Sequence, residues 1–275
     1  MSRFLWTWVF VCVAGVCCAE IYDVFEVNGK VGLKDANGKV IIPAEYEALG
    51  WSEGAFSTTA GVTGYKLDGK WGLINMSNNR ITKPLYTNLL PGEGTHLVAF
   101  MKNSGKVNAL AGCITTGGKV LIPFAYDGLK ISGMRAIAIQ KMTNRFAYGL
   151  IDLDNRVLIP VIHKNMWPLG SLRFAVENND GKIALYTEDG RQVVPFTIDR
   201  IEPFQKNFAV IHQNGNLGLI DREGKVAVEP VYRELTISAD GKVEGRKGDE
   251  WIVLDGDNHV LQTLQADSIV GLGEN

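Results

Sequence analysis

Beyond residue 20 the chain is a succession of short apolar runs cut by Asp-Gly, Asn-Gly and related pairs, and the succession repeats. The stretch from Phe174 to Phe204 shows one period. Phe174-Ala175-Val176 leads to Asp180-Gly181, and Ile183-Ala184-Leu185-Tyr186 leads to Asp189-Gly190. Val193-Val194-Pro195 then leads to Ile198-Asp199-Arg200-Ile201. Runs of this length suit strands, and the pairs between them suit tight hairpins. Primed turns need positive φ, which Gly and Asn tolerate best. Each period therefore predicts a three-stranded antiparallel meander.

The first turn recurs at Asn28-Gly29, Asp68-Gly69, Asp180-Gly181 and Asn214-Gly215. The second recurs at Asn37-Gly38, Asn78-Asn79, Gly117-Gly118, Asp154-Asn155, Asp189-Gly190, Glu223-Gly224 and Asp257-Asn258. A glycine marks the middle strand at Gly32, Gly72, Gly112, Gly149 and Gly218, with Ala184 and Ile252 in the same slot of the other two units. A proline ends the third run at Pro43, Pro84, Pro123, Pro160, Pro195 and Pro230. A bulky pair follows: Tyr46/Leu49, Tyr86/Leu89, Tyr126/Leu129, His163/Met166, Ile198/Ile201 and Tyr232/Leu235. The last unit has Thr263 and Ala266/Ile269 in these places, the degeneracy expected of a terminal repeat.

A meander of this size cannot bury its apolar face alone, so neighbours must stack. The expected fold is all-β: about seven tandem three-stranded antiparallel β-meander repeats in a propeller-like or open superhelical array. The units fall roughly at 22–54, 55–95, 96–132, 133–170, 171–205, 206–239 and 240–270, within one domain spanning 20–275.

The run Gly69-Lys70-Trp71-Gly72-Leu73-Ile74-Asn75, followed by Pro84 and Tyr86, resembles the WG repeat, a bacterial β-repeat named for its Trp-Gly pair. The resemblance extends over about residues 22 to 270. The Trp slot is otherwise Val31, Ala111, Tyr148, Ile183, Leu217 and Trp251, so the chain is a divergent case, while the turn, proline and tyrosine slots hold. The resemblance implies a repeat scaffold and brings no catalytic motif with it.

The N-terminal residues follow another logic. Arg3 precedes an apolar run from Phe4 to Val16, and small residues follow up to Ala19. This is the layout of a secretory signal, which predicts that residues 1–19 are cleaved between Ala19 and Glu20 and the rest exported to the periplasm, outer envelope or medium. The run is short of the roughly 20 apolar residues of a membrane span, so no transmembrane segment is expected in the mature chain. Lipid attachment at Cys17 or Cys18 is the alternative, weakened because Val16 and Cys17 are poor residues directly before a lipidated cysteine. Cys12, Cys17 and Cys18 leave with the signal, so Cys113 alone remains and a mature monomer has no internal disulfide.

Charge narrows the function. Lys and Arg number 28 against 30 Asp and Glu, which gives no electrostatic reason to expect nucleic acid as a partner. His96, His163, His212 and His259 are scattered, and no His or Cys spacing matches a zinc site. No phosphate-binding loop or nucleophile elbow is present, so neither a cofactor nor a catalytic residue is expected. Cys113 reads as a buried, inert thiol, and Asp152, Asp221 and Asp255 as acids that bond turn backbone. Trp51, Trp167 and Phe204, between units, read mainly as inter-repeat packing.

One positional signal remains: a basic residue directly after the second turn of every unit, at Lys39, Arg80, Lys119, Arg156, Arg191, Lys225 and His259. Stacking would align these into a ladder or ring of cations. The expected function is an exported, non-enzymatic repeat scaffold that binds a macromolecular partner, a protein or an anionic envelope polymer, over an extended surface. The competing class is a hydrolase-type enzyme with a carboxylate site at the axis of a closed ring.

Overall fold

The computed structural model describes residues 22–102, 105, 107–238, 242–248, 250–254 and 260–265. The leader at 1–19, the Asp257-Asn258 turn, His259 and the Ala266/Ile269 pair lie outside them. The described residues form seven antiparallel sheets in chain order. The first holds Tyr22–Val27, Lys30–Asp35 and Val40–Tyr46, and the second Ala48–Leu49, Val62–Leu67 and Lys70–Asn75. The third holds Asn88–Pro91, His96–Met101, Leu110–Thr115 and Val120–Tyr126; the fourth Gly128–Ser132, Arg135–Lys141, Phe146–Asp152 and Val157–His163. The fifth holds Asn165–Gly170, Arg173–Glu177, Ile183–Thr187 and Gln192–Ile198; the sixth Arg200–Ile201, Phe208–Gln213, Asn216–Asp221 and Val226–Tyr232. The seventh holds Glu234–Ile237, Val243–Lys247, Glu250–Leu254 and Val260–Gln265.

The meander of three strands is present in every unit but the second, whose sheet is a lead strand and two meander strands, and sheets three to seven carry a fourth. It is a short lead strand centred on the second member of the bulky pair: Leu89 pairs with Ala99, Leu129 with Ala138, Met166 with Val176, Ile201 with Ile211 and Leu235 with Gly245. Each bulky pair thus straddles a sheet boundary. Its first member ends one sheet and its second opens the next, which ties consecutive sheets through two residues. In the second sheet the closing segment is irregular. It meets the third strand at the Trp71–Tyr86 and Ile74–Arg80 bridges, and between them the Ile81 and Thr82 N–H groups donate to the Leu73 carbonyl.

The middle-strand glycine and the proline act together. In the first sheet Val31 faces Tyr46 and Leu33 faces Ile42, so the closing strand holds two extra residues opposite Gly32. Pro43 lies in that bulge, where a missing N–H costs no ladder bond. The carbonyl of Ile42 comes so close that a Cβ on Gly32 would lie 2.7 Å from it; Gly112, Gly149 and Gly218 face Ile122, Ile159 and Val228 carbonyls in the same way at 2.8, 2.6 and 2.7 Å. The seventh sheet has Ile252 for the glycine and Thr263 for the proline. There the two residues face each other directly, without the bulge.

Six apolar clusters fill the six spaces between consecutive sheets. The first joins Leu33, Ile42 and Tyr46 to Tyr65 and Ile74. The next gathers Trp51, Trp71, Tyr86, Leu89 and Leu97. Later ones centre on Cys113, Ile122 and Tyr126 against Ala138 and Ile151, on Leu150 and Ile159 against Phe174, on Leu185 and Val194 against Ile211, and on Leu219 and Val228 against Leu235. Each sheet buries its apolar residues against its neighbours in sequence, which is how tandem repeats acquire a continuous core. Trp51 is buried in its cluster, and Trp167 and Phe204 pack against the side of theirs, so these three aromatics serve packing between repeats.

Candidate functional site: the second-turn face

The second turn of each unit is built by its own strand end. The last residue of the meander's middle strand is Asp35, Asn75, Thr115, Asp152, Thr187 or Asp221. In each case its side-chain oxygen accepts the backbone N–H four residues on. Asp35 Oδ1 takes Lys39 N at 2.9 Å, Asn75 Oδ1 takes Asn79 N at 2.9 Å, Thr115 Oγ1 takes Lys119 N at 3.2 Å and Asp152 Oδ1 takes Arg156 N at 2.8 Å. Thr187 Oγ1 takes Arg191 N at 3.1 Å and Asp221 Oδ1 takes Lys225 N at 2.8 Å. Short acceptors suit this position because they reach back to the chain just ahead of them. The residue before the basic slot has positive φ: Gly38 at 79°, Asn78 at 59°, Gly118 at 82°, Asn155 at 63°, Gly190 at 87° and Gly224 at 82°.

This frame decides which residues share the slot. Lys39, Lys119, Arg156, Arg191 and Lys225 occupy equivalent positions, four residues after the acceptor, and all five are exposed. Arg80 does not share the slot. The equivalent residue is Asn79, and Arg80 stands one place further on, opposite Ile74, where Val40, Val120 and Val157 stand in other units. One step along a strand reverses the side chain's face. Arg80 accordingly turns onto the preceding repeat. Its Nε donates to the Tyr46 hydroxyl at 3.1 Å, and its guanidinium lies 5.1 Å from the Tyr46 ring and 5.3 Å from the Tyr65 ring. His259 lies outside the described residues. The ladder is thus five described cations, with Arg80 reassigned to inter-repeat stacking.

Among the described residues only Arg156 of the five makes an ion pair, with Asp152 at 2.6 Å and Asp154 at 3.7 Å. The burial of Asp152 pushes its carboxyl up, but the Arg156 backbone N–H and guanidinium outweigh this and hold it below the usual carboxylate value. Lys39, Lys119 and Lys225 make no ion pair with a described carboxylate, while Arg191 faces the carboxylate of Asp189, whose pKa is lowered chiefly by the Thr187 hydroxyl and in part by the Arg191 charge.

The turns also seat on the preceding sheet. A Cβ on Gly118 would meet Thr82 Cγ2 at 2.6 Å, one on Gly224 would meet Val194 Cγ2 at 2.7 Å, and one on Gly190 would run into the Leu158 carbonyl. Where the turn carries Asn, the side chain accepts a tyrosine hydroxyl from the sheet before: Tyr46 to Asn78 at 3.4 Å and Tyr126 to Asn155 at 2.8 Å. Two arginines absent from the sequence-derived site hold the same turns from behind. Arg135 Nε donates to the Glu188 carbonyl at 2.7 Å, and Arg173 Nε to the Arg222 carbonyl at 2.6 Å. Both begin the second strand of their sheets. The signal that would reveal them is an Arg directly after the lead-strand hairpin.

The antiparallel order places the second turn at the same end of a sheet as the hairpin joining its lead and second strands. Met134 and Leu172 stand exposed on two such hairpins. Leu172 has φ of 58°, uncommon for a branched apolar residue. Among the described residues no three of His, Cys, Asp and Glu gather as a metal site. Cys113 is fully buried, and burial pushes its thiol up to about 11, which keeps it protonated and unreactive.

Three stretches of the chain, residues 32–71, 185–216 and 218–251, match the family model of the WG containing repeat. No curated protein shows significant similarity to the sequence. Among solved structures, a eukaryotic initiation factor aligns at 12% identity over 89% of this chain and 84% of its own, with a TM-score of 0.39. Apo AztD from Citrobacter koseri aligns at 14% identity over 89% and 78%, with a TM-score of 0.35. The WD40 β-propeller domain of Doa1 aligns at 10% identity over 80% and 86%, with a TM-score of 0.30. At such scores these likenesses decide nothing about this chain, whose fold rests on its own strand pairing.

Proposed function

We propose that this chain, three stretches of which match the WG containing repeat, is an exported, non-enzymatic scaffold that binds an extended acidic partner on its second-turn face. The observation that carries the reading is the row of Lys39, Lys119, Arg156, Arg191 and Lys225. Five exposed cations recur in one backbone-capped slot of a chain whose net charge is −2. Their backbones are fixed by the strand-end acceptors, so the charges are held at repeat spacing, and the side chains of Lys39, Lys119 and Lys225 make no ion pair with a described carboxylate. Rigid frames carrying variable surface residues are a common basis for recognition. Met134 and Leu172 add apolar contact at the same end of their sheets, which favours a protein surface over a purely polyanionic polymer.

Binding of this kind weakens steeply with salt, because exposed charges are screened over about 8–10 Å near physiological ionic strength. The test is a titration with polyglutamate, and separately with an anionic polysaccharide, at about 50 mM and 200 mM salt. The parent is compared with the triple variant Lys39→Glu, Lys119→Glu, Lys225→Glu. The reading expects salt-sensitive binding by the parent and none by the variant, with thermal stability unchanged because exposed unpaired lysines contribute little to folding. Equal binding by both proteins, or none by the parent, defeats it. Export is tested separately by intact mass: the proposed cleavage yields a chain starting at Glu20, and a Met1 start or a lipid mass on Cys17 or Cys18 defeats that part alone.

A further inference from the structure

The residue directly before the second strand of a sheet is Gly61, Thr95, Met134, Leu172 and Asn207 in sheets two to six. Of these sheets only the fourth and fifth put a large apolar side chain there, and both side chains stand in water: Met134 is 60% exposed and Leu172 64%. Leu172 is also held in an unfavourable backbone conformation. Ser171 and Leu172 form a two-residue hairpin between Gly170 and Arg173, with φ of 51° and 58°. Among the described residues, the other two-residue hairpins with both φ values positive have Gly29, Gly61, Gly69 and Gly215 in the second place. Glycine suits that place because a side chain crowds the backbone there. Leu172 carries the strain without burying its side chain, so the packing of the fold does not explain it. Strain of this kind persists at sites of function, where the surroundings enforce it.

The surroundings do enforce it. Arg173 Nη1 donates to the Ser171 and Leu172 carbonyls at 3.4 and 3.3 Å, and the Glu188 N–H donates to the Leu172 carbonyl at 3.1 Å. In the fourth sheet Arg135 Nη1 donates to the Met134 carbonyl at 3.1 Å while its Nε holds the Glu188 carbonyl. Both hairpins are thus bonded to one residue, Glu188, which opens the turn leading to Arg191. A cleft of about 230 Å³ lies between them, lined by Ser132, Gly133, Pro168, Leu172, Phe174 and Glu188. It is smaller than the roughly 300–1,000 Å³ of small-molecule sites and has room for a side chain.

Resting on the reading of the second-turn face as a surface for an acidic partner, we propose that the cleft between Met134 and Leu172 is the anchor point of that surface and takes a leucine-sized apolar side chain from an acidic polypeptide. The polypeptide is named by the charge beside the cleft. Arg156 and Arg191 belong to the second turns of the same two sheets, so a segment seated there meets cations on its way in and out. A polysaccharide has no side chain to insert. A second copy docking by the same face would set one row of cations against another, and like charges facing each other disfavour it.

The test uses two fluorescent peptides at low salt, one of glutamates with a single central leucine and one with serine in its place. The full chain should bind the leucine peptide roughly tenfold more tightly, about what burying one such side chain supplies. Leu172→Gly, and separately Met134→Gln, should remove that preference. The first variant also separates binding from folding. Glycine accepts the Leu172 backbone without strain, so the melting temperature of Leu172→Gly should equal or exceed the parent's while the preference is lost. Equal binding of the two peptides by the parent overturns the anchor and leaves the acidic-partner reading standing. Binding of neither peptide defeats that reading, and the anchor with it. A preference that survives in both variants overturns the anchor as well. So does a concentration-dependent dimer, seen by sedimentation and lost in Leu172→Gly, which would assign the cleft to a second copy.

Discussion

Tyr126, at the end of the third sheet, donates its hydroxyl to Asn155 Oδ1 in the second turn of the fourth, at 2.8 Å. The contact joins two features that the repeat places 29 residues apart in sequence. It satisfies a phenol that is 7% exposed, and it uses an asparagine whose backbone sits at φ 63°. Tyr46 and Asn78 form the same relationship one repeat pair earlier.

This bond is a direct coupling between repeats, and a double-mutant cycle measures it. Tyr126→Phe removes the donor, and Asn155→Gly removes the acceptor while keeping a residue that tolerates positive φ. Each change should lower the unfolding free energy in urea by about 0.5–1.5 kcal/mol, the net worth of a neutral hydrogen bond. The double variant should lose clearly less than the sum of the two. Additive losses within about 0.3–0.5 kcal/mol mean that the two sites do not communicate.

Where the turn holds glycine, packing replaces the hydrogen bond, and two alanine substitutions separate the effects. Gly215 and Gly190 both have positive φ, at 80° and 87°, but a Cβ on Gly215 meets nothing within 4 Å. Gly215→Ala should therefore cost only the left-handed backbone, about 1–2 kcal/mol. Gly190→Ala pays that cost and also drives a methyl into the Leu158 carbonyl, adding about 1–3 kcal/mol of overpacking. Urea midpoints of the two variants check this. Equal losses mean that the fifth turn does not seat on the fourth sheet.

The periodic slots were readable because each has a local physical cause. Asn28-Gly29 and Asn214-Gly215 adopt the two positive φ values their composition predicts, and the glycine and proline slots meet in one bulge. The lead strands were not legible. Leu49 and Ile201 sit in strands of two residues, too short for alternation to show, and they form only because an existing edge receives them. The displacement of Arg80 was legible. The segment from Asn75 to Tyr86 is as long as that from Asp35 to Tyr46 or from Thr115 to Tyr126, so the count back from Tyr86 that gives Lys39 and Lys119 in those units gives Asn79 and leaves Arg80 one place late. Counting forward from Asn75, the residue that accepts the turn's N–H, assigns the slot to Asn79. The turn is fixed by the strand before it, and both counts agree on its slot.

His163 occupies the slot that is tyrosine at Tyr46, Tyr86, Tyr126 and Tyr232, and it should confer a pH dependence those residues do not. Its ring stacks on Phe196 of the next sheet, with centroids 5.8 Å apart. Burial, and then the positive charge of Arg145, hold its imidazole below the ordinary value. A group with a depressed folded pKa stabilises the fold above its unfolded pKa, about 6.5 for histidine, and that stability is lost as pH falls towards the folded value. The melting temperature should therefore drop as pH is lowered from about 7 to 5. His163→Tyr restores the repeat's own residue and removes this group's share of the drop. Arg145→Met removes one of the two causes, so it should move the drop to lower amplitude while leaving the stacking partner in place. Its guanidinium also donates to the Ile162 carbonyl at 3.1 Å, so the comparison is made on the slope against pH and not on absolute stability. Parallel curves for parent and His163→Tyr across this range would show that His163 titrates alike in the folded and unfolded chain.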